Sequence, residues 1–366
     1  MIPPRRTHVN RGPMAGQRRR VRVLQSLRLG GFWSKLQAPF RFASVLLLPW
    51  LRARLSLRAL ELVAGPASAP AGRALVVVAA HHGDHALAQA FLAHHRGLGA
   101  KHFVFLDLSS DGGLAGHLGA EPGCAVWRPR AGPGGGKALT WLNGLRGRYA
   151  TGRWCLSLAT TDAFVFYRCE SRSLGDFTEF LDSESREHVY ALVVEMYGER
   201  PAAELAAEGA PPAALDRFDA FGFVTLDPGR FRNVIVRGGL QRRTLHRTKP
   251  RQSPALNRVP LVKWQWFYGY VAGTRLVVPA YLNSPHTPWH SSPTGCILRY
   301  ALLARPETLE VAARHEAAVT VKDGGLAAYP GLLKLRDASP LGDASRRYRT
   351  TRDLVDAGLL NPGQWF

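Results

Sequence analysis

Asp162 sits in the stretch of this chain best suited to do chemistry: Arg153-Trp154-Cys155-Leu156-Ser157-Leu158-Ala159-Thr160-Thr161-Asp162-Ala163-Phe164-Val165-Phe166-Tyr167. The pattern reads as a buried strand, a short polar corner and a second, aromatic-rich run. Ligands of parallel α/β sheets bind at the carboxyl ends of strands, so reacting groups are expected at such a corner. Asp162 is the only carboxylate there, and one carboxylate can hold Mg²⁺ when substrate phosphates complete its shell. A second candidate is the acid-free run from Pro228 to Arg258, which gathers Arg230, Arg232, Arg237, Arg242, Arg243, Arg247, Lys249, Arg251 and Arg258. It reads either as a patch that concentrates a diphosphate or as a solvated basic hairpin around Gly238-Gly239. Lys263 to Val278 is aromatic and β-rich, with rings that stack on a sugar or a base, or fill a core. Gly132-Pro133-Gly134-Gly135-Gly136-Lys137 lacks the GxxxxGK[ST] spacing and reads as a flexible loop. The pair His286 and His290 reads as part of an ordinary Pro-rich loop.

These groups need a scaffold, and the chain supplies one. Ala74 to Ala79 is a continuous apolar run, the mark of a strand covered on both faces. A helical pattern follows through Phe91, Leu92 and Leu98, then a second strand, His102 to Leu106. This βαβ unit predicts a right-handed crossover and a doubly wound sheet. Further strands are expected at Cys124–Trp127 and Glu187–Met196, and a helix from Lys137 to Tyr149 on the spacing of Leu139, Leu142 and Leu145. Residues 201–214, rich in Ala, Pro and Glu, read as an exposed insertion. After Ile297 the chain reads as mostly helical, with segments from Leu302 to His315 and Thr351 to Leu360.

Upstream, residues 1–30 read as a flexible basic arm. Phe40 to Val63 has helical spacing of Leu51 and Leu55 with Arg52, Arg54 and Arg58 between. That helix either packs on the main domain or lies along a membrane interface. Gly65 to Gly72 is a linker by composition. The expected organisation is an N-terminal extension and linker over 1–70, an α/β domain over 71–300 with a mainly parallel central sheet, and a helical C-terminal region over 301–366.

Several spaced motifs together resemble a bacterial group of family 2 glycosyltransferase-like proteins. They are Trp141-Leu142-Asn143-Gly144-Leu145, Gly152-Arg153-Trp154, the corner ending in Asp162, Met196-Tyr197, Ala255 to Trp264, and Gly358-Leu359-Leu360. The resemblance covers roughly residues 73–366 and implies a GT-A-like fold. It also implies transfer of a sugar, with inversion, from a nucleoside-diphosphate donor to a glycan or lipid-linked acceptor in polysaccharide biosynthesis. The family's Asp-x-Asp-Glu is replaced here by Ala159-Thr160-Thr161-Asp162. Asp-x-Asp holds Mg²⁺ or Mn²⁺ because alternate residues of an extended segment face one side. Here the alternate pair is Ala159 and Thr161, the second offering only a weak neutral oxygen, so Asp162 is left as the metal ligand and metal binding is expected to be weakened or dispensable. Asp107 and Asp111, after the second strand, are implied nucleotide contacts, with an Asp/Ser/Gly turn as the other reading. Two histidine motifs of the family correspond to Gly273-Thr274-Arg275 and Ile297-Leu298-Arg299. Arg275 and Arg299 are then candidates to carry the diphosphate charge in place of a metal.

Two alternatives belong to other classes. One is an inactive paralogue that acts as a binding partner of an active glycosyltransferase. The other rests on Ala80-His81-His82-Gly83-Asp84-His85, which resembles the metal motif of metallo-β-lactamase-like hydrolases, with His82, Asp84 and His85 as zinc ligands.

Charge and cysteine usage bound the setting. The formal net charge is +21, and the first sixty residues hold thirteen Arg/Lys and no acid. Such an arm suits an anionic membrane surface or simple solubilisation; nucleic acid ranks lower because no nucleic-acid module is visible. The four cysteines lack CxxC spacing, which fits a reduced cytoplasmic setting, peripheral at most to the membrane.

Overall fold

The computed structural model describes residues 47–68, 71–72, 74–132, 137–226, 234–284, 292–317 and 327–365. Of two compact units, Met1–Ser44 lies wholly outside these residues, and Val45–Phe366 contains everything that follows. The basic arm, the glycines at 134–136, Arg230, Arg232, His286 and His290 are likewise outside the described residues.

In chain order the first elements are helix α1 (Leu48–Ser56), strand β1 (Leu60–Ala64), β2 (Val76–His81), α2 (His85–Gly97), β3 (His102–Asp107), α3 (Leu114–Leu118) and β4 (Cys124–Pro129). Then come α4 (Ala138–Tyr149), β5 (Arg153–Ala159), β6 (Asp162–Phe166), α5 (Leu174–Ser183), β7 (His188–Glu195), α6 (Ala202–Ala207), β8 (Arg217–Asp219) and β9 (Val224–Leu226). The rest are β10 (Ile235–Arg237), α7 (Gly239–Thr244), β11 (Asn257–Trp264), β12 (Gly269–Tyr270), β13 (Val277–Val278), β14 (Gly295–Arg299), α8 (Pro306–Ala317), α9 (Tyr329–Leu335), β15 (Ser345–Arg347) and α10 (Thr351–Asp356).

One nine-stranded sheet, in the order β1-β4-β3-β2-β5-β11-β7-β14-β6, organises the molecule. Strands β4, β3, β2, β5, β7 and β14 run one way and β1, β11 and β6 the other. The fold is therefore α/β with a mixed, mostly parallel sheet. The strand ending near Ala79 and the one ending near Leu106 pair in parallel, Val76 opposite His102, as the βαβ pattern requires.

Continuous apolar strands form here because both faces of the sheet are covered. Along β2, Val77 and Ala79 enter one core while Val76, Val78 and Ala80 enter the other. Strand β3 divides the same way, Phe103 and Phe105 from Val104 and Leu106. Leu87, Phe91 and Leu92 of α2 and Phe177 of α5 cover the first face; Trp141, Leu145 and Tyr149 of α4 cover the second. Helix α2 starts where Asp84 accepts a hydrogen bond from the Leu87 amide at 3.0 Å, and α5 starts in a capping box of Ser173 and Asp176.

Four expectations change. Leu60 to Ala64 does not continue the helix of Leu and Arg; it pairs antiparallel with β4 as an edge strand, so the sheet begins before residue 71. A strand forms because Leu60 is buried in the sheet, a contact to residues far along the chain that local spacing does not register. Residues 202–207 are not merely exposed: Ala202 and Leu205 of α6 are buried. Gly238-Gly239 links β10 to α7 rather than turning a hairpin. Finally, the described residues of the C-terminal region combine α8, α9 and α10 with turns and with strand β15, which pairs with β8.

Candidate functional site

A cleft of about 190 Å³ opens at the carboxyl end of the parallel strands. Ala80 is the penultimate residue of β2 there, Leu108 follows β3, Ala159 ends β5 and Arg299 ends β14. One wall is α4, through Leu142 and Arg146; another is the turn carrying Thr274 and Arg275; His315, Glu316 and Tyr329 close it from α8 and α9.

Ala159 and Asp162 both line this cleft. The alternation of Ala159 with Thr161 does not hold, because Thr160 and Thr161 form a turn rather than extended strand. Asp162 rather than Thr161 joins Ala159 in the lining, and Thr161 lines a small neighbouring cavity with Leu87, Phe91 and His94. Thr161 Oγ1 donates to Asp162 Oδ1 at 3.4 Å and is thereby a support for Asp162, not a wall of the cleft.

Asp162 is held on both oxygens by one arginine. Arg299 Nε reaches Oδ1 at 3.0 Å and Nη2 reaches Oδ2 at 3.2 Å, and both side chains are buried. Strands β14 and β6 create this pair directly, since Arg299 and Asp162 are opposite one another in antiparallel register. Burial works against the Arg299 charge; the Asp162 carboxylate outweighs it and holds the guanidinium pKa above its usual range. The Tyr329 ring lies 5.4 Å from the Arg299 guanidinium, and burial pushes the Tyr329 phenol up to about 12. Arg299 is thus paired with Asp162 rather than presented alone to a ligand.

Two further cations line the cleft: Arg146, which the sequence did not single out, and Arg258 of the acid-free run. Burial, then Arg299 and Arg275 nearby, push the Arg258 guanidinium down to about 10, so it is charged at neutral pH but in repulsive company. Its Nη1 donates to the Ala255 and Asn257 carbonyls, both at 2.8 Å. Arg146 donates to Ser157 at 2.9 Å and stands 4.7 Å from the Tyr270 ring, which accounts for how a cation is tolerated in that core. Burial lowers its pKa. Arg146 follows the α4 periodicity one residue past Leu145, and Arg258 lies inside the Ala255–Trp264 motif; both signals were in the sequence.

Asp107 and Asp111 do not line the cleft; Leu108 does. Asp107 is buried and accepts from the Ser109 amide at 3.0 Å and the Ser109 hydroxyl at 2.6 Å, which makes it the keystone of its own turn. Burial raises its pKa despite those bonds. Asp111 pairs with His85 at 3.4 Å. Burial opposes its charge, but Ser109, Gly113 and His85 outweigh it and hold the carboxyl down at about 2.

The histidine motif is dispersed in the same way. Asp84 caps α2, and His85 pairs with Asp111 and stacks on His117 at 4.2 Å. His82 alone lines the cleft, 5.6 Å from the His315 ring. Among the described residues no group of three or more His, Cys, Asp or Glu is placed to hold a metal ion.

The acid-free run is not one surface patch. Arg237 is buried and donates to the Ser253 carbonyl; Arg243 grips Asp219 at 2.9 and 3.0 Å; Arg242 donates to the Gly222 carbonyl at 2.7 Å. These arginines brace the β8–α7 region, and Arg258 alone of those described faces the cleft. Glu195, which ends β7, is buried with its pKa raised by burial, and accepts from the Gln241 amide at 3.1 Å and from its side chain.

Four guanidinium groups against two carboxylates, at the ligand-binding end of an α/β sheet, suit a multiply charged anion. No family model matches this chain, and no curated protein matches it.

Proposed function

We propose that the chain is a GT-A-like glycosyltransferase that binds a nucleoside-diphosphate sugar in this cleft and passes the sugar to a glycan or lipid-linked acceptor. The single observation that carries the reading is the grouping of Arg146, Arg258, Arg275 and Arg299 around a cleft whose lining carboxylates are Asp162 and Glu316. One further negative charge develops on the β-phosphate of the leaving nucleoside diphosphate as the glycosidic bond breaks, and preorganised cations at that point stabilise it together with the charges already present. With Asp162 bound on both oxygens by Arg299, the diphosphate charge falls to Arg258 and Arg275 rather than to Mg²⁺ or Mn²⁺.

Donor binding is therefore expected to persist in chelator, and Arg258→Ala and Arg275→Ala are each expected to weaken it about tenfold or more, since a charge-assisted contact contributes ~1.5–3 kcal/mol. Titration calorimetry with UDP-, GDP- and dTDP-sugars, in Mn²⁺ and in chelator, measures this. Binding that chelator abolishes and neither substitution weakens overturns the arrangement. Absence of binding to every nucleotide sugar removes the transferase reading itself.

The closed Asp162–Arg299 pair also favours a second reading, in which the donor is bound but not turned over and the chain serves as a partner of an active relative. Saturable donor binding without nucleotide release during prolonged incubation with candidate acceptors distinguishes it.

A further inference from the structure

A larger cavity, about 560 Å³, lies between α1, α4 and the aromatic segment before β13. Both hollows use α4: Leu142 and Arg146 face the cleft, whereas Asn143, Gly144 and Gly147 face this cavity. Helix α1 forms its other wall. Ala53 is the one buried residue of α1, and it meets α4 at Gly144, where an added Cβ would stand 2.5 Å from the Ala53 carbonyl oxygen. That close approach fixes how α1 is rotated. Trp50, Arg54 and Arg58, at helical spacing, line the cavity, while Leu48, Leu51 and Leu55 fall on the outward side and stay 46%, 37% and 54% exposed.

The chemistry of the lining is one-sided. Arg54, Arg58 and Arg148 contribute cations, Trp50, Trp266 and Tyr270 contribute rings, and no Asp or Glu is among the lining residues. Arg54 rests over the Trp50 ring at 5.6 Å, and Trp50 meets Trp266 edge-on at 5.5 Å. Trp266 and Val271 add exposed apolar surface at this cavity. Leucines on an outer helical face, tryptophan at the rim and arginines behind are the ingredients of an interfacial helix.

We infer that this face docks on an anionic lipid surface, with the leucines of α1 and Trp266 entering the interface and a lipid phosphate seated against Arg54 and Arg58. Charge selects this occupant. A net charge of +21 repels a second copy of the chain, and a cationic partner finds no carboxylate in the lining. A soluble phosphate compound does not account for the exposed leucines. Docking of this kind needs no sugar donor and no transfer, so it stands or falls apart from the proposed activity.

The test is co-sedimentation of the full chain with phosphatidylcholine vesicles, with and without phosphatidylglycerol, in low salt and at about 0.5 M salt, where exposed charges are screened beyond a few ångströms. The basic N-terminal residues contribute electrostatic binding in low salt; docking through α1 is expected to survive the higher salt. Leu51→Asp/Leu55→Asp and Arg54→Glu/Arg58→Glu, all at exposed positions, are each expected to reduce salt-resistant binding to phosphatidylglycerol vesicles about tenfold or more. Circular dichroism checks that both variants remain folded. Loss of wild-type binding at high salt, equal binding by the variants, or equal binding to pure phosphatidylcholine overturns the inference. Release of the vesicles by millimolar glycerol phosphate also overturns it, in favour of a soluble phosphate compound.

Discussion

Arg299→Ala, and separately Asp162→Ala, are expected to cost the fold about 3–5 kcal/mol each, because either leaves one member of a buried ion pair without its counter-charge. The side chains are 6% and 4% exposed and joined by two hydrogen bonds at 3.0 and 3.2 Å. The neighbouring cations act oppositely in the two variants, aggravating the loss of Asp162 and partly offsetting the loss of Arg299. Removing Asp162 leaves Arg299 facing Arg258, whose own charge is already disfavoured. Removing Arg299 leaves the Asp162 carboxylate facing the Tyr329 ring. The double variant Asp162→Ala/Arg299→Met is expected to recover most of the loss, since apolar groups in place of a buried pair are often tolerated. Urea unfolding of the three variants measures the coupling. Single-variant losses under about 1 kcal/mol would mean that the pair is already hydrated. Asp162 would then be free for a cation, contrary to the geometry described here.

Acid sensitivity is the other large expected effect. Burial pushes His81, His82 and His95 each down to about 3; His85 adds for His81, His315 for His82 and His94 for His95. His95 shows why the neutral form is required. Its Nδ1 lies 2.8 Å from the Phe91 carbonyl and its Nε2 accepts from the Phe164 amide at 3.3 Å, so one nitrogen donates and the other must keep its lone pair. Unfolded, each imidazole takes up a proton near pH 6.5; folded, it refuses one until near pH 3. Stability from these groups is therefore fully present above about pH 6.5 and declines as pH falls towards 3. The decline is about 1.4 kcal/mol per histidine per pH unit. Urea midpoints measured from pH 8 to pH 4 are expected to hold steady and then drop steeply below 6.5. A midpoint that stays flat to pH 4.5 would show that these imidazoles are reached by protons in the folded state.

Much of the scaffold was legible because its signals are local. The strands at Val76, His102, Cys124 and His188 announce themselves as short apolar runs, and they are apolar throughout because helices cover both faces. The α4 helix follows from Leu142 and Leu145 on one side. Strand β1 was hidden: Leu-Glu-Leu-Val-Ala follows a helix with the same leucine spacing, and its partner strand lies some sixty residues away. The insertion of β11 between β5 and β7 depends on pairings that no window of sequence contains.

The site was legible to the extent that one strand end defines it. Ala159 and Asp162 are where a carboxyl-end corner places them. Thr161 falls outside the cleft's lining because two turn residues replace the alternation of an extended strand. Asp107 and Asp111 lie outside the cleft's lining, and their carboxylates engage nearby partners, which a motif does not reveal. Arg258 and Arg146 join Arg299 only through the insertion of β11 into the sheet and the packing of α4 on it, so a residue count showed the charge without its location.

Because β1 pairs with β4 across Leu60–Pro129 to Ala64–Val126, the segment before the Gly/Pro/Ala-rich linker does protective work. A chain shortened to begin at residue 71 uncovers β4, with Ala125, Val126 and Trp127 beside a row of unpaired amides and carbonyls. Open apolar edges of that sort invite pairing with another molecule. The shortened chain is accordingly expected to aggregate during expression, and one beginning at residue 45 to remain dispersed, so the practical boundary for making this domain lies ahead of α1 rather than at the linker.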